Sequence, residues 1–369
     1  MKYYIVAGEA SGDLHASNLM RGILQHDSEA EFRFYGGDLM AQHGGVLVKH
    51  YREMSFMGFW EVFKNLPQIS RNLNQCKKDI VDFNPDAVIL VDYPGFNLRI
   101  AKHAKLAGYK VFYYIAPKVW AWKESRVKRL KKYVDKLLII FPFEVDYFKR
   151  HGVDAVYCGN PLVDSLNKAE KDVNFNQSNS LDQRPIIAIL AGSRVQEVKH
   201  NLPTMLTMID KFKDYQLVIA GAPSLSYQVY EPFVGGRDVK IVFGQTQELL
   251  KHSTAAMVTS GTATLEAALL NVPEVVCYKG SLLSMLIASL VIKVKYISLV
   301  NLIMNREVVT ELVQCKLNTN RLCNELQALL PGDPSREKML SSFDELRNLL
   351  GGAGASERFA KVIVDSFTK

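Results

Sequence analysis

The chain has 369 residues, 48% hydrophobic and 22% charged, a balance that excludes disordered and fibrous classes and at this length predicts two folded domains. Its 45 basic and 38 acidic residues leave a net charge of +7, too mild to point to nucleic acid and suited to phosphorylated ligands or an anionic membrane face. Five scattered cysteines, Cys76, Cys158, Cys277, Cys315 and Cys323, contain no Cys-x-x-Cys pair, which disfavours a disulfide framework or structural zinc and predicts a reducing, cytoplasmic compartment.

The chain begins with a short apolar run that meets Glu9 and Asp13, too brief and too soon acidic for a secretory signal, so no export is expected. Residues 3–7, 87–91, 111–115 and 136–140 are β-rich, and each precedes a longer periodic segment, the rhythm of βαβ units on a parallel sheet. Residues 167–184 form a polar stretch, and beyond it 186–190, 216–220, 240–243, 255–259 and 274–278 restart the same rhythm. The longest uncharged apolar run, 280–292, meets Lys293 and Lys295 and falls short of the roughly 18 to 20 residues a membrane span needs. Gly351, Gly352 and Gly354 precede an amphipathic segment at 356–367 that is expected to cross back onto the first domain. The reading is α/β with two doubly wound, Rossmann-like domains, residues 1–165 and 166–354, with 355–369 returning to the first.

Four loops carry candidate chemistry. In the second domain, Ser260-Gly261-Thr262-Ala263-Thr264-Leu265-Glu266 follows a strand and opens a helix, a turn that aims free backbone N–H groups at an anion. Its small residues admit a diphosphate, and Glu266, one turn on, is placed for ribose hydroxyls; an ordinary capped βα turn reads the same residues equally well. Ala191-Gly192-Ser193-Arg194 puts a guanidinium at the carboxyl end of the same sheet. In the first domain, Ala7-Gly8-Glu9-Ala10-Ser11-Gly12-Asp13-Leu14 is again strand, small-residue loop and helix, without the ending of a P-loop or the spacing of a dinucleotide fingerprint. Asp92-Tyr93-Pro94-Gly95 sets a carboxylate at the mouth of that sheet, where a general base is useful and where an Asp-initiated turn is the structural alternative. No Asp-x-Asp or metal-ligand cluster occurs, so neither a metal nor a cofactor is expected. The aromatic segment 56–66, with Met57, Phe59, Trp60 and Phe63, reads either as core or as contact with acyl chains, and the basic run 126–132 after Trp120 and Trp122 reads as a solvated face or a ligand-facing edge.

Taken together, AGEASGDLH (7–15), MGFWEV (57–62), DYPGFNL (92–98), APKVWAW (116–122), FPFE (141–144), GNPLVDSL (159–166), AGSRVQEV (191–198) and SGTATLEAAL (260–269) closely resemble the lipid-A-disaccharide synthase family. The resemblance implies an inverting, metal-independent glycosyltransferase of the GT-B type, its two domains facing across a cleft, in lipid A (lipopolysaccharide) biosynthesis. It would transfer 2,3-diacylglucosamine from UDP to the 6-hydroxyl of 2,3-diacylglucosamine 1-phosphate, making the β-1,6 disaccharide and releasing UDP. Carried over by motif, Asp92 is the catalytic aspartate; Arg194, Gly261, Thr262, Thr264, Glu266, Asn301, Glu311 and Gln314 bind the UDP donor; Glu9, Ser11, Gly12, Asn97 and Trp122 belong to the acceptor and its loops; Met57, Phe59, Trp60 and Phe63 meet acyl chains. Three positions depart from the pattern: Gly95 where many members carry a second acid, Val300 for a proline and Asn160 for a histidine. Expected partners are the two diacyl sugars and an anionic membrane surface, with no nucleic acid, and a homodimer is admitted; the expected location is cytoplasmic, peripheral to the inner membrane. Two rivals stand beside this reading, a UDP-sugar epimerase of like architecture and a non-catalytic nucleotide-sugar binder at the membrane.

Overall fold

The computed structural model describes every residue except 55–64, 122–123, 167–170, 281–293 and 368–369. The expected contacts at Met57, Phe59, Trp60, Phe63 and Trp122 therefore lie outside the described residues, as does most of the apolar run 280–292. The chain divides into two units, residues 1–164 with 350–369, and residues 165–349.

The first unit is built on seven strands: β1 (Lys2–Ala7), β2 (Glu31–Gly36), β3 (Val46–His50), β4 (Ala87–Val91), β5 (Lys110–Tyr114), β6 (Lys136–Ile139) and β7 (Ala155–Tyr157). They lie in the order β3-β2-β1-β4-β5-β6-β7, and every pairing is parallel. β4 reads AVILV and is buried throughout, as a parallel strand covered on both faces must be. One face packs Leu73, Ile80, Ile100 and Leu130 against the sheet, and the other packs Leu19, Ile23, Phe359 and Ile363.

The last of these belong to the C-terminal helix Ala355–Val364, which crosses back to lie against helix Ala10–His26. Gly22 permits that approach, because a Cβ there would come within 2.9 Å of the Ala360 Cβ and 3.0 Å of the Glu357 Cα. Asp164 fastens the crossing by accepting from the backbone N–H groups of Gly354 at 2.7 Å, Ala355 at 3.2 Å and Ser356 at 2.8 Å, a carboxylate cap at the positive end of the helix.

The second unit contains β8 (Ile186–Leu190), β9 (Gln216–Gly221), β10 (Val239–Phe243), β11 (Ser253–Thr259), β12 (Glu274–Tyr278) and β13 (Glu311–Val313), in the parallel order β10-β9-β8-β11-β12-β13. Both sheets are doubly wound, so the fold class is the two-Rossmann α/β one. Each has a switch point where the strand order reverses, between β1 and β4 in the first and between β8 and β11 in the second. The polar stretch 167–184 contributes to the second core after all: Phe175 is buried there, stacked on His252 at 4.7 Å between centroids. Among the described residues no helix is long and apolar enough to cross a membrane.

Candidate active site

At the first switch point, β4 ends in a strained turn. Asp92 has φ +43° and Tyr93 φ +47°, two successive non-glycine residues in the left-handed region, where such strain marks functional turns. The backbone is held there from three sides: the Asp92 N–H donates to the Tyr114 carbonyl at 2.9 Å, while its carbonyl accepts from the Asn97 amide at 2.9 Å and the buried Tyr113 hydroxyl at 2.6 Å. The loop after β1 fits against this turn. A Cβ on Gly8 would sit 2.3 Å from the Tyr93 ring, so only glycine leaves room for it, and the Tyr93 hydroxyl donates to the Met54 carbonyl at 2.9 Å.

Burial pushes the Asp92 carboxyl up to about 6, and the Glu9 carboxylate from the β1 loop adds to the rise. Lys118, the Tyr93 N–H and Arg126 oppose it. An aspartate with such a value is ionised at neutral pH yet basic enough to take a proton, the tuning expected of a general base. Gly95, on the exposed side of the turn, carries no acid, but Glu9 brings a second carboxylate to the mouth from another strand.

Other expected residues of this unit are placed differently. Asn97 is fully buried, and its amide donates to the carbonyls of Val6, Val91 and Asp92. It therefore staples β1 to β4 beneath the turn. Ser11 is exposed on the first turn of helix Ala10–His26, and Gly12 is buried against Ala7. Asn160 binds the Ile140 carbonyl at 3.0 Å and accepts from the Leu162 N–H at 2.9 Å, a linking role for the residue that departs from histidine.

At the second switch point, β11 leads through Ser260 and Gly261 into helix Thr262–Leu269. Among the described residues no side chain caps this helix and a Cβ at Gly261 would meet nothing within 4 Å, and a helix start of this kind favours an anion. Thr264 is fully buried and closes the first turn onto the Gly261 carbonyl at 2.9 Å, so its hydroxyl shapes the turn rather than facing outward. Burial raises the Glu266 carboxyl. Arg194, at the exit of the neighbouring β8, keeps an exposed guanidinium that pairs with Glu197 at 3.5 Å. Glu197 also accepts from the Ser193 N–H at 2.9 Å and the Arg194 N–H at 3.3 Å, closing the glycine loop.

Asn301, Glu311 and Gln314 lie on the elements that follow β12. Asn301 is fully buried, its oxygen accepting from Val308 and Val309 N–H at 2.7 and 3.0 Å and its amide donating to the Val309 carbonyl and Glu311. Glu311 accepts from the Ile297 and Ser298 N–H groups, each at 2.9 Å, and Gln314 reaches the Gly280 carbonyl at 3.4 Å. Asn301 and Glu311 hold the 297–301 turn, whose Ile297 carbonyl accepts from the Ser260 hydroxyl at 2.6 Å. Val300, buried in helix Leu299–Met304, packs where a proline is common. Among the described residues no three His, Cys, Asp or Glu side chains are grouped to hold a metal ion.

Sequence reasoning missed Tyr113, Glu197 and Lys118. Only the last two lie in quoted motifs, and neither motif reveals whom its side chain meets.

Two doubly wound parallel sheets, each with a loop cluster at its switch point, define the class of two-domain GT-B glycosyltransferases and UDP-sugar epimerases. Among solved structures, UDP-GlcNAc 2-epimerase from Neisseria meningitidis bound to UDP-GlcNAc superimposes with TM-score 0.69 at 13% identity, covering 99% of this chain and 100% of that one. Sucrose-phosphate synthase from Thermosynechococcus elongatus does so with TM-score 0.61 at 12% identity, covering 100% and 99%. At such identities the likeness is one of fold. Sequence goes further: the lipid-A-disaccharide synthetase family matches residues 3–358. Lipid-A-disaccharide synthase of Myxococcus xanthus is 37% identical over 98% of this chain and 96% of its own, and that of Syntrophus aciditrophicus 36% identical over 96% and 95%. The chain belongs to the lipid-A-disaccharide synthase family, and it is a glycosyltransferase of lipid A assembly.

Proposed function

We propose that the chain joins UDP-2,3-diacylglucosamine to 2,3-diacylglucosamine 1-phosphate, with Asp92 as base. The observation that carries this is the strained, half-buried Asp92 at the first switch point, its carboxyl near 6. Asp92 takes the proton of the acceptor 6-hydroxyl as that oxygen attacks the anomeric carbon. The bond to UDP breaks in the same displacement, which inverts the configuration. The leaving diphosphate is met by the open N-terminus of helix Thr262–Leu269 and by Arg194, with Glu266 toward the ribose. An epimerase has no use for a second sugar, so the deciding experiment incubates the protein with both diacyl substrates and looks by mass for the disaccharide 1-phosphate and UDP. Release of UDP without a disaccharide would overturn the reading.

The acyl chains of both substrates anchor them in a membrane, and the first unit has a surface suited to one. Lys77, Arg99, Lys102, Lys128, Arg129 and Lys132 line a groove of about 610 Å³, with Leu106 71% exposed at its edge. Charge attraction and apolar contact together favour reversible attachment to an anionic bilayer. Binding to vesicles containing phosphatidylglycerol, weakened but not abolished by salt, supports this; indifference to such vesicles at low salt rejects it.

A further inference from the structure

Trp120 of the APKVWAW motif and Glu144 of the FPFE motif have no role so far, and they are each other's partners. Glu144, in the first turn of helix Phe143–Arg150, is 1% exposed. Its carboxylate accepts from the N–H groups of Phe141 at 3.0 Å and Ile140 at 3.2 Å, which any residue closing this turn would do. Its other oxygen accepts from the Trp120 indole N–H at 3.0 Å, 24 residues away in sequence. The Trp120 ring meets Phe141 and Phe143 edge-on, at 83° and 86°, and those two rings stack within 3° of parallel. The FPFE turn is thus a receptor for one indole, combining ring packing with a hydrogen bond to a carboxyl that burial raises to about 7.

The segment so held leaves β5 beside the Asp92 turn, since Tyr114 pairs with Val91 and its carbonyl accepts the Asp92 N–H. Pro117 and Val119 are buried in it, and Lys118 between them is exposed. Anchors on both sides therefore decide where the ammonium stands. Lys118 acts electrostatically on Asp92 and on Glu144 alike.

We propose that Glu144 is a positioning residue for the transfer: by holding the Trp120 indole N–H it fixes residues 115–121 beside the Asp92 turn, and with them the Lys118 ammonium within electrostatic reach of the Asp92 carboxylate. This rests on Asp92 being the base. Lys118 then keeps the carboxylate ionised, against the Glu9 carboxylate and burial; the other groups facing Asp92 are Arg126, Tyr113 and the Tyr93 N–H. Around Glu144 itself stand Trp120, Lys118, Tyr157 and the N–H groups of Ile140 and Phe141.

The test uses the full chain with both diacyl substrates, and Trp120→Phe is its main variant because it removes the indole N–H while keeping an aromatic ring against Phe141 and Phe143. We expect kcat to fall about tenfold, as misplaced site groups commonly cost, with KM for the UDP donor within about twofold. The acid limb of kcat/KM should move to higher pH as Asp92 loses its cation. Glu144→Gln, which keeps an accepting oxygen, should recover most of what Glu144→Ala loses. Glu144→Ala combined with Trp120→Phe should cost little more than the worse single change. If Glu144→Ala fails to fold, Trp120→Phe and Glu144→Gln decide alone. An unmoved acid limb and unchanged kcat in Trp120→Phe, with Asp92→Asn inactive, would overturn this inference and leave Asp92 as base. Near-normal turnover in Asp92→Asn would remove the base and this inference together.

Discussion

The two switch points share a topology and differ in physical character. At the first, the chain is strained and closed: Asp92 and Tyr93 sit at positive φ, Tyr113 and Asn97 grip the Asp92 carbonyl, and Tyr93 fills the space Gly8 leaves. At the second, among the described residues, no side chain caps the helix start, nothing stands within 4 Å of a Cβ at Gly261, and the Arg194 guanidinium is exposed. A base needs a defined position and a raised proton affinity, and confinement provides both. A diphosphate needs free donors and room, which confinement would deny. One fold thus hosts two chemistries by how tightly it packs the same strand-to-helix turn.

Replacing the confined carboxylate should give the largest effect. Asp92→Asn keeps size and removes basicity, so turnover should fall by a factor of about 100 to 10,000 while UDP affinity, read by calorimetry, stays close to the parent's. The raised carboxyl also opposes folding whenever it is ionised. Its stabilising contribution is present below the ordinary aspartate value and lost as pH rises through about 6. The asparagine variant should therefore melt no lower than the parent at pH 7.5. A marked loss of stability would instead make Asp92 a turn former.

Asn301→Ala probes the second unit and should act on folding before binding. It strips partners from the buried groups of Val308, Val309 and Glu311, which should cost about 3 kcal/mol in urea unfolding. Weakened UDP affinity at full stability would show instead that the amide reaches the ligand.

Glu266→Ala should weaken UDP binding about tenfold, the worth of one or two hydrogen bonds to a charged group, with little change in melting. Unchanged affinity in calorimetry removes Glu266 from the donor site.

The smallest effect sharpens the contrast most. The parent's kcat/KM should drop as pH falls through about 6, because protonated Asp92 cannot act as base. Gly95→Asp has open space for its side chain and adds a like charge near Asp92. Its acid limb should therefore move up by about half a pH unit. A limb that moves down would place the new carboxylate elsewhere.

Much of this was readable beforehand, for a local reason. Fully buried strands such as AVILV and IIAIL announce themselves by unbroken apolar runs, and glycine-rich turns by the residues their backbone requires. The strands that went unread carry weaker patterns. β2 reads EFRFYG with charge between its aromatic residues, β3 is an exposed edge, and β7 and β13 are three residues long. The pattern at 111–115 runs one residue past the end of β5, since Ile115 turns to φ +62° while its N–H still donates to the Leu138 carbonyl.

Sequence alone determined which residue types stand at each strand exit, because a parallel strand followed by a helix must turn there and short motifs record how. Only the tertiary structure decided what each polar side chain does. Asn97, Asn301 and Glu311 are hydrogen-bonded to the backbone of this chain. Glu9 joined Asp92 from 83 positions away, and Glu144 found an indole. A buried polar group must find a partner, and which partner lies in reach is set by strand order, a property of the whole sheet that no stretch of the chain contains.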